Sequence, residues 1–310
     1  MKQPISFLEV MKSLQSEKDC REFLEDIRWQ GEPVCPHCMT QSHEEIYKHY
    51  KLKVKGEFNG LYKCKNCKKR FTVIQNTMFE GTHIPLQKWF YTIYIFLSHK
   101  KGISSVQLSK DIVVTQKTAW FMLNRIRHNF ENKINVRFED ITQADETYVG
   151  GKNRKRRGIK HTQGRSTKIK TPVFGLESDG KVYTIVVPNT VGITLKPIIN
   201  FLVKKGSTIV SDGWGAYKGL SKKYNHIVVE HSKGEYVKDG FHTNNIEGFW
   251  SHLKRGIFGI YHLASRKHLS KYCNEFAFRY NTRDMSDFRR FAQFTSDAYK
   301  RLSYRDLIAA

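Results

Sequence analysis

Three acidic side chains are candidates for binding divalent metal ions. Asp145 lies near the end of an alternating apolar stretch, Asp212 ends a second apolar stretch 67 residues later, and Glu247 follows after another 35 residues. Carboxylates that converge can hold two cations roughly 4 Å apart, which activate an attacking oxygen and stabilise a leaving oxygen in phosphodiester chemistry. A chain with 29 acidic residues offers many such triples, so surface caps and ion pairs are the alternative from spacing alone.

Four cysteines form two Cys-x-x-Cys pairs, and the second pair begins 26 residues after the first pair ends. In a cytosolic protein, two such pairs favour a tetrahedral structural zinc site of the zinc-ribbon type over two disulfides. The predicted zinc ligands are Cys35, Cys38, Cys64 and Cys67. The cysteines outside the pairs, Cys20 and Cys273, are expected to be packed thiols.

The charge of the chain indicates a polyanionic partner. Its 310 residues include 53 Lys and Arg against 29 Asp and Glu, which gives a net charge of +24. Such an excess suits contact with nucleic acid or an anionic membrane surface. The longest apolar stretch, residues 89–97, is far shorter than the roughly 20 residues of a membrane span, and the N-terminus lacks a signal-peptide pattern. We therefore expect a cytoplasmic, nucleoid-associated protein that contacts no membrane.

Basic residues are concentrated in two segments. Residues 152–170 contain nine basic residues and no acidic residue, directly after the strand that carries Asp145. Residues 63–70 contain five more around the second cysteine pair. Such runs are typical of phosphate contacts, although a solvated loop has the same composition. The candidates for DNA contact in the longer segment are Lys152, Arg154, Lys155, Arg156 and Arg157.

The pattern of residues 103–130 is typical of a helix-turn-helix. Ser104 or Ser105 can cap a short helix that continues to Lys110, and Thr115 can cap a second helix with one apolar face. The motif fits these features, and an ordinary helical pair is the alternative. The side chains expected on the exposed face of the second helix are Gln116, Lys117, Asn124, Arg125 and Arg127. The candidates for DNA contact among them are Gln116, Lys117 and Arg125.

Strand patterns begin near residue 138. Alternation places Asp145 on the same strand face as Gln143 and directs Glu146 to the opposite face. Asp179 and Gly180 are typical of a hairpin turn between two further strands. Helical and strand patterns then follow one another as far as about residue 285, which indicates an α/β or mixed-sheet domain.

Three segments, ADETYVGGK, VSDGWGAY and HTNNIEGFWSHLKRGI, closely resemble the catalytic blocks of DDE transposases of bacterial insertion sequences. The nearest group in that family carries an N-terminal zinc ribbon, a helix-turn-helix and an RNase H-like catalytic domain. Further similar parts are the two cysteine pairs, SSVQLSKDIVVTQKTAWFMLNRIR, EFAFRYNTR and RLSYRDL. The resemblance extends from about residue 18 to residue 307.

This resemblance implies a metal-binding triad of Asp145, Asp212 and Glu247, with Lys254 as the basic residue seven positions after the glutamate. Some relatives have Asn where the third acid lies, which leaves Asn245 as the alternative to Glu247. Glu146 is expected to be dispensable for metal binding, because it lies on the other strand face.

The implied fold class is α/β, with an RNase H-like mixed five-stranded sheet and flanking helices, preceded by a zinc ribbon and a helical helix-turn-helix domain. The expected domains are an N-terminal helix and zinc ribbon (1–82), a helix-turn-helix DNA-binding domain (83–135), an RNase H-like catalytic domain (136–285) and a C-terminal helical tail (286–310).

The implied activity is that of a DNA transposase. It would nick the 3′ ends of an insertion sequence and transfer the strands to target DNA, with Mg²⁺ or Mn²⁺ at the triad and structural Zn²⁺ in the ribbon. The implied partners are double-stranded DNA and further copies of the chain, in a homo-oligomer on DNA. The alternatives are an RNase H-like nuclease that joins no strands and a zinc-ribbon and helix-turn-helix DNA-binding regulator.

Overall fold

The computed structural model describes residues 7–41, 44–49, 58–130, 137–150 and 170–309. The chain forms two compact units, of which the first comprises Met1–Asn129 and Met285–Ala310 and the second comprises Phe130–Asp284. The last residues of the chain thus belong to the first unit, and the division into four domains stays a prediction. Within the described ranges, no helix is both long and apolar enough to cross a membrane.

The first unit starts with two helices and a small antiparallel sheet. These elements are α1 (Phe7–Ser13), α2 (Glu17–Trp29), β1 (Ile46–Lys48), β2 (Tyr62–Cys64) and β3 (Arg70–Phe71). Ser16 and Asp19 form a reciprocal capping box at the start of α2. Trp29, at the end of α2, packs edge-on against Tyr62 and Phe71 of the sheet. The helix is thereby joined to the sheet that carries the second cysteine pair.

Three helices follow the sheet: α3 (Leu86–Ser98), α4 (Ser105–Asp111) and α5 (Gln116–His128). α4 and α5 are the two helices predicted from the sequence. Ser104 caps α4 by accepting the N–H of Gln107, and Thr115 caps α5 by accepting the N–H of Thr118. The apolar face predicted for α5 is buried and consists of Ala119, Met122, Leu123 and Ile126.

The prediction that Asn124, Arg125 and Arg127 are exposed is wrong, because all three are buried. Arg125 donates to the carbonyl oxygen of Glu80 at 2.7 Å, and its guanidinium lies 5.9 Å from the ring centre of Trp89. Burial lowers the pKa of Arg125 to about 10. The aliphatic part of an arginine can be buried when its guanidinium contacts a carbonyl oxygen or an aromatic ring. The buried surface of α5 is therefore wider than the apolar face alone. Arg125 is therefore a packing residue and is removed from the candidates for DNA contact.

The second unit is built on a five-stranded mixed sheet with the strand order β6-β5-β4-β7-β8. β4, β5 and β6 are antiparallel neighbours, whereas β7 and β8 run parallel to β4. The elements are β4 (Thr142–Gly150), β5 (Lys170–Ser178), β6 (Lys181–Val186), α6 (Gly192–Leu202), β7 (Thr208–Asp212), β8 (Asn225–Val229), α7 (Asn244–Gly256) and α8 (Leu269–Asn281). This arrangement confirms the predicted RNase H-like mixed sheet with flanking helices.

The hairpin between β5 and β6 turns at the predicted residues. Asp179 and Gly180 have φ values of 46° and 68°. Two positive φ angles are what a type I′ turn requires, and this turn matches the twist of the strands that it joins. The prediction of a hairpin at this dipeptide is confirmed.

Each face of the sheet has its own hydrophobic core. On one face, Val149 and Val173 belong to a cluster with residues of α7 and α8. On the opposite face, Ala144 and Phe174 belong to a cluster with residues of α6 and Tyr217. Consecutive residues of β4 therefore face different helices, and this decides which acidic side chains share a site.

The chain returns to the first unit with α9 (Asp287–Ser296) and α10 (Tyr304–Ala309). Phe291 of α9 stacks on Phe23 of α2, with 5.7 Å between the ring centres. Arg290 donates to the carbonyl oxygen of Leu97 at the end of α3. These contacts make the C-terminal helices part of the core of the first unit.

Candidate active site and zinc centre

The four cysteines of the two pairs lie together in the first unit. Their Sγ atoms are all within 4.8 Å of one another. The Sγ atoms of Cys35 and Cys67 are 3.6 Å apart, and those of Cys38 and Cys64 are 3.7 Å apart. A tetrahedron with Zn–S bonds of about 2.3 Å has edges of about 3.8 Å, so the cluster has the dimensions of a zinc site. All four thiols are free, and their arrangement favours zinc over the disulfide alternative.

The two cysteine pairs have the same local geometry. Met39 and Lys68, each directly after the second cysteine of a pair, both have φ of 60°. Hydrogen bonds with Thr40 lower the pKa of Cys38 to about 6, which favours the thiolate that binds metal. Burial raises the pKa of Cys35 to about 12, so the charge of a zinc ion is needed to hold this thiol ionised. The cluster therefore fits structural zinc.

The second unit brings the three predicted acids to one region. Asp145 lies within β4, and Asp212 is the last residue of the adjacent parallel strand β7. The register pairs Ala144 with Ser211, so the next residue on each strand is an aspartate. Glu247 lies in the first turn of α7, which packs on the Asp145 face of the sheet.

Asp145 is held against the sheet by a tryptophan. The indole Nε1 of Trp250 donates to Oδ2 of Asp145 at 3.0 Å. Gly175 lies opposite Asp145 on β5, and a Cβ at this position would lie 2.5 Å from the Trp250 ring. The missing side chain at Gly175 thus leaves the space in which the indole reaches the carboxylate.

The pKa of Asp145 reflects the concentration of negative charge. Burial raises this pKa to about 7, with further contributions from the charges of Glu146, Asp212 and Glu247. Removal from water and nearby like charges both disfavour the ionised carboxylate. A divalent cation would offset both effects, and carboxylate oxygens are the ligands that magnesium prefers. In charge and in donor type, the three acids fit a divalent cation.

Each carboxylate of the triad has a protein hydrogen-bond partner. Asp212 accepts the backbone N–H of Trp214 at 3.0 Å, and Glu247 accepts the hydroxyl of Thr243 at 2.7 Å. Nδ1 of His231 lies 3.6 Å from the Glu247 carboxylate. In the described part of the chain, the cysteine cluster alone has three or more potential ligand atoms within 4.8 Å of one another. Binding of a single ion by all three acids would therefore require side-chain rotation.

Lys254 and Glu146 lie where the sequence places them. Lys254 is seven residues after Glu247 on α7, almost two full turns, so both side chains leave the helix on one side. Glu146 is buried on the opposite face of the sheet, where the hydroxyl of Tyr217 donates to it at 2.8 Å. The separation of Glu146 from the Asp145 face is confirmed, whereas its dispensability stays a prediction.

Both units match transposase domains of known families. A transposase zinc-ribbon domain matches residues 15–70, and an ISXO2-like transposase domain matches residues 137–281, which include the three acids. A transposase-like protein of Haemophilus influenzae is 32% identical over 106 residues, which are 34% of this chain and 85% of that protein. The chain belongs to the ISXO2-like transposase family. A protein in the transposable element ISH50 of Halobacterium salinarum is 28% identical to this transposase over 283 residues, 87% of this chain and 92% of that protein.

Solved structures of the Mos1 transposase are also similar to this transposase. A pre-cleavage Mos1 transpososome matches with a TM-score of 0.26 and 12% identity, covering 69% of this chain and 80% of that chain. A Mos1 paired-end complex with the left transposon end matches with a TM-score of 0.29 and 12% identity, covering 68% of this chain and 76% of that chain. The assignment to the family rests on the domain and sequence matches and not on these structures.

The predicted DNA-contact residues have different outcomes in this transposase. Gln116 and Lys117 are exposed at the start of α5, where Gln116 donates to the hydroxyl of Ser105. Arg125 is buried, as described above. Five candidates lie outside the described residues: Lys152, Arg154, Lys155, Arg156 and Arg157.

Two side chains near the triad were missed by the reasoning from sequence. Oε1 of Gln143 accepts the backbone N–H groups of Asn245 and Ile246, both at 3.1 Å. Oε2 of Glu177 accepts Nδ2 of Asn245 at 3.4 Å. The alternation of β4 did place Gln143 on the Asp145 face, but nothing in the sequence indicated that the start of α7 lies against it.

Proposed function

We propose that this transposase nicks DNA at the 3′ ends of its insertion sequence and joins the freed ends to target DNA. The observation that carries the proposal is the position of Asp145, which is largely buried, has a pKa raised to about 7 and lies within electrostatic reach of Asp212 and Glu247. A carboxyl group whose pKa is strongly perturbed by burial and by specific charged neighbours is typical of a functional site.

The three acids are the proposed ligands of Mg²⁺ or Mn²⁺. Two such ions would activate water or a 3′-hydroxyl and stabilise the leaving oxygen of the phosphodiester. The chain itself orients the ligands: Trp250 holds Asp145, and the Thr243 hydroxyl holds Glu247. Lys254, on the Glu247 side of α7, is proposed to contact a DNA phosphate.

Double-stranded DNA is the proposed partner, at both the element ends and the target. The net charge of +24 favours contact with the phosphates of DNA. In the first unit, Gln116 and Lys117 are exposed at the capped start of α5, the end of a recognition helix that contacts base edges in a helix-turn-helix. The segment from Lys152 to Arg157 is proposed to contact the backbone near the cleaved bond. A homo-oligomer would hold two ends at once.

The test is strand cleavage of a labelled duplex that carries the terminal repeat flanking the gene. Asp145→Asn, Asp212→Asn and Glu247→Gln should each lower cleavage by at least about 100-fold, since even groups that only orient metal ligands contribute about 10- to 100-fold. Binding of the same duplex, measured by gel shift, should change little. Glu146→Gln is the matched control, because glutamine still accepts the Tyr217 hydroxyl on the other face of the sheet.

Four outcomes would contradict the proposal. Cleavage that survives Asp212→Asn, or that is lost with Glu146→Gln but not with Asp145→Asn, refutes the assignment of the site. Cleavage without joining to a plasmid target indicates a nuclease of RNase H type. Specific binding without any cleavage by the unaltered chain indicates a DNA-binding regulator.

A further inference from the structure

We infer that Gln143 and Glu177 dock the start of helix α7 on the sheet and thereby position Glu247, with Asn245 as their partner and not as a metal ligand. This inference rests on the proposed function, since it concerns the placement of the third acid.

The start of α7 lacks an ordinary cap. Thr243 occupies the N-cap position but makes no capping hydrogen bond with its side chain, and its hydroxyl donates to the Glu247 carboxylate at 2.7 Å. The first N–H groups of a helix have no partners within the helix and need acceptors from elsewhere. At this helix the usual capping residue is instead engaged with the proposed metal ligand.

Gln143 supplies the acceptor that Thr243 does not. Its Oε1 accepts the N–H groups of both Asn245 and Ile246 at 3.1 Å, across 102 and 103 residues of sequence. Gln143 is only 5% exposed, so water competes little for this oxygen. It lies on β4 two residues before Asp145 and on the same face. One strand therefore carries the first metal ligand and fixes the helix that carries the third.

Glu177 holds the same turn of the helix from the neighbouring strand. It pairs with Gln143 in the β4–β5 register and is 2% exposed. Its Oε2 accepts Nδ2 of Asn245 at 3.4 Å, and its Oε1 accepts the N–H of Gly180 at 3.0 Å. An anionic acceptor is also favourable beside the positive end of a helix dipole.

These contacts indicate different roles for Asn245 and Glu247 on α7. Two residues along a helix correspond to a rotation of about 200°, so the two side chains leave the helix on nearly opposite sides. The Asn245 amide is directed to Glu177, whereas Glu247 contributes to the electrostatic field at Asp145. Asn245 is thus placed to orient the helix, and Glu247 to bind the cation.

The test exchanges the two partners. Asn245→Asp replaces the amide that donates to Glu177 with a second carboxyl group, so cleavage should fall at least about tenfold and half-maximal cleavage should require more Mn²⁺. Adding Glu177→Gln should restore both values, because glutamine can donate to the introduced carboxylate while its oxygen still accepts from Gly180. Gln143→Met, similar in length but without an acceptor, should also raise the Mn²⁺ requirement.

Thermal unfolding of each full-length variant separates positioning from general stability. In the double variant, cleavage and the Mn²⁺ concentration for half-maximal cleavage should return to the values of the unaltered chain, even if the melting temperature stays lower. If Asn245→Asp is too unstable to purify, recovery of folded protein in the double variant supports the docking, and failure to recover refutes it.

Glu247→Gln is assayed in parallel to distinguish failure of the active site from failure of the docking contacts. If Glu247→Gln still cleaves DNA, the proposed active site is refuted. If Glu247→Gln is inactive but Asn245→Asp alone retains or improves Mn²⁺-dependent cleavage, only the positioning role is refuted.

Discussion

The raised pKa of Asp145 predicts an unusual pH dependence of stability in magnesium-free, zinc-loaded protein. The carboxyl has a pKa of 3.8 as an ordinary aspartic acid and of about 7 in the folded chain, chiefly because it is buried and then because of Glu146, Asp212 and Glu247. Between these two values, the folded state binds more protons than the unfolded state does. The free energy of unfolding therefore falls as pH rises from about 4 to about 7.

The size of this effect follows from the two pKa values. At 1.36 kcal/mol for each pH unit, the difference between 3.8 and about 7 corresponds to at most about 4 kcal/mol. The remaining contact of Asp145 with water lowers this figure, so about 2–4 kcal/mol is expected. Asp145→Asn abolishes this titration. Its stability relative to the unaltered chain should increase by that amount between about pH 4 and about pH 8.

The assay is denaturant unfolding of both full-length proteins over this pH range, followed by tryptophan fluorescence, to which the second unit contributes Trp214 and Trp250. The difference between the unfolding free energies of the two proteins at each pH cancels the contributions of groups that titrate alike in both. Magnesium should narrow the difference at about pH 8, because a cation that binds only the folded, unaltered site stabilises it. A difference that stays constant with pH would show that Asp145 is not destabilised by burial and like charge.

Three further predictions concern other parts of the chain. The purified protein should contain one zinc ion per chain by metal analysis, and folded protein without zinc would contradict this. Limited proteolysis of Cys64→Ser should show that the ribbon is unfolded while the second unit stays folded. Arg125→Ala should destabilise the first unit by about 2–4 kcal/mol in denaturant unfolding, because packing is lost and the carbonyl of Glu80 is left unpaired. Lys117→Ala should instead weaken DNA binding and reduce its salt dependence, with little change in stability. The reverse pattern would contradict the burial of Arg125. Gly175→Ala should lower the free energy of unfolding by about 1–3 kcal/mol and should also lower cleavage, because the added Cβ meets the Trp250 ring that holds Asp145. Unchanged cleavage would refute that role of the indole.

Local features of the fold could be predicted because their causes lie within a few residues of one another. The caps at Ser104 and Thr115, the turn at Asp179 and Gly180 and the cysteine pairs each depend on short-range geometry. Strand alternation likewise separated Asp145 from Glu146, since neighbouring side chains of a strand must point to opposite faces. The family resemblance then identified which of the 29 acidic residues to consider.

Contacts between distant residues could not be predicted in this way. Arg125 has the composition and position of a DNA-contact residue, yet Glu80, 45 residues away, supplies a carbonyl that stabilises its burial. The acceptor for the first turn of α7 comes from Gln143, 102 residues earlier, and neither segment alone indicates the other. The sequence by itself determined the residue types and the local turns that carry the chemistry. Only the tertiary structure decided which polar groups satisfy one another, because a buried donor or acceptor is paired by whatever the fold brings within about 3 Å.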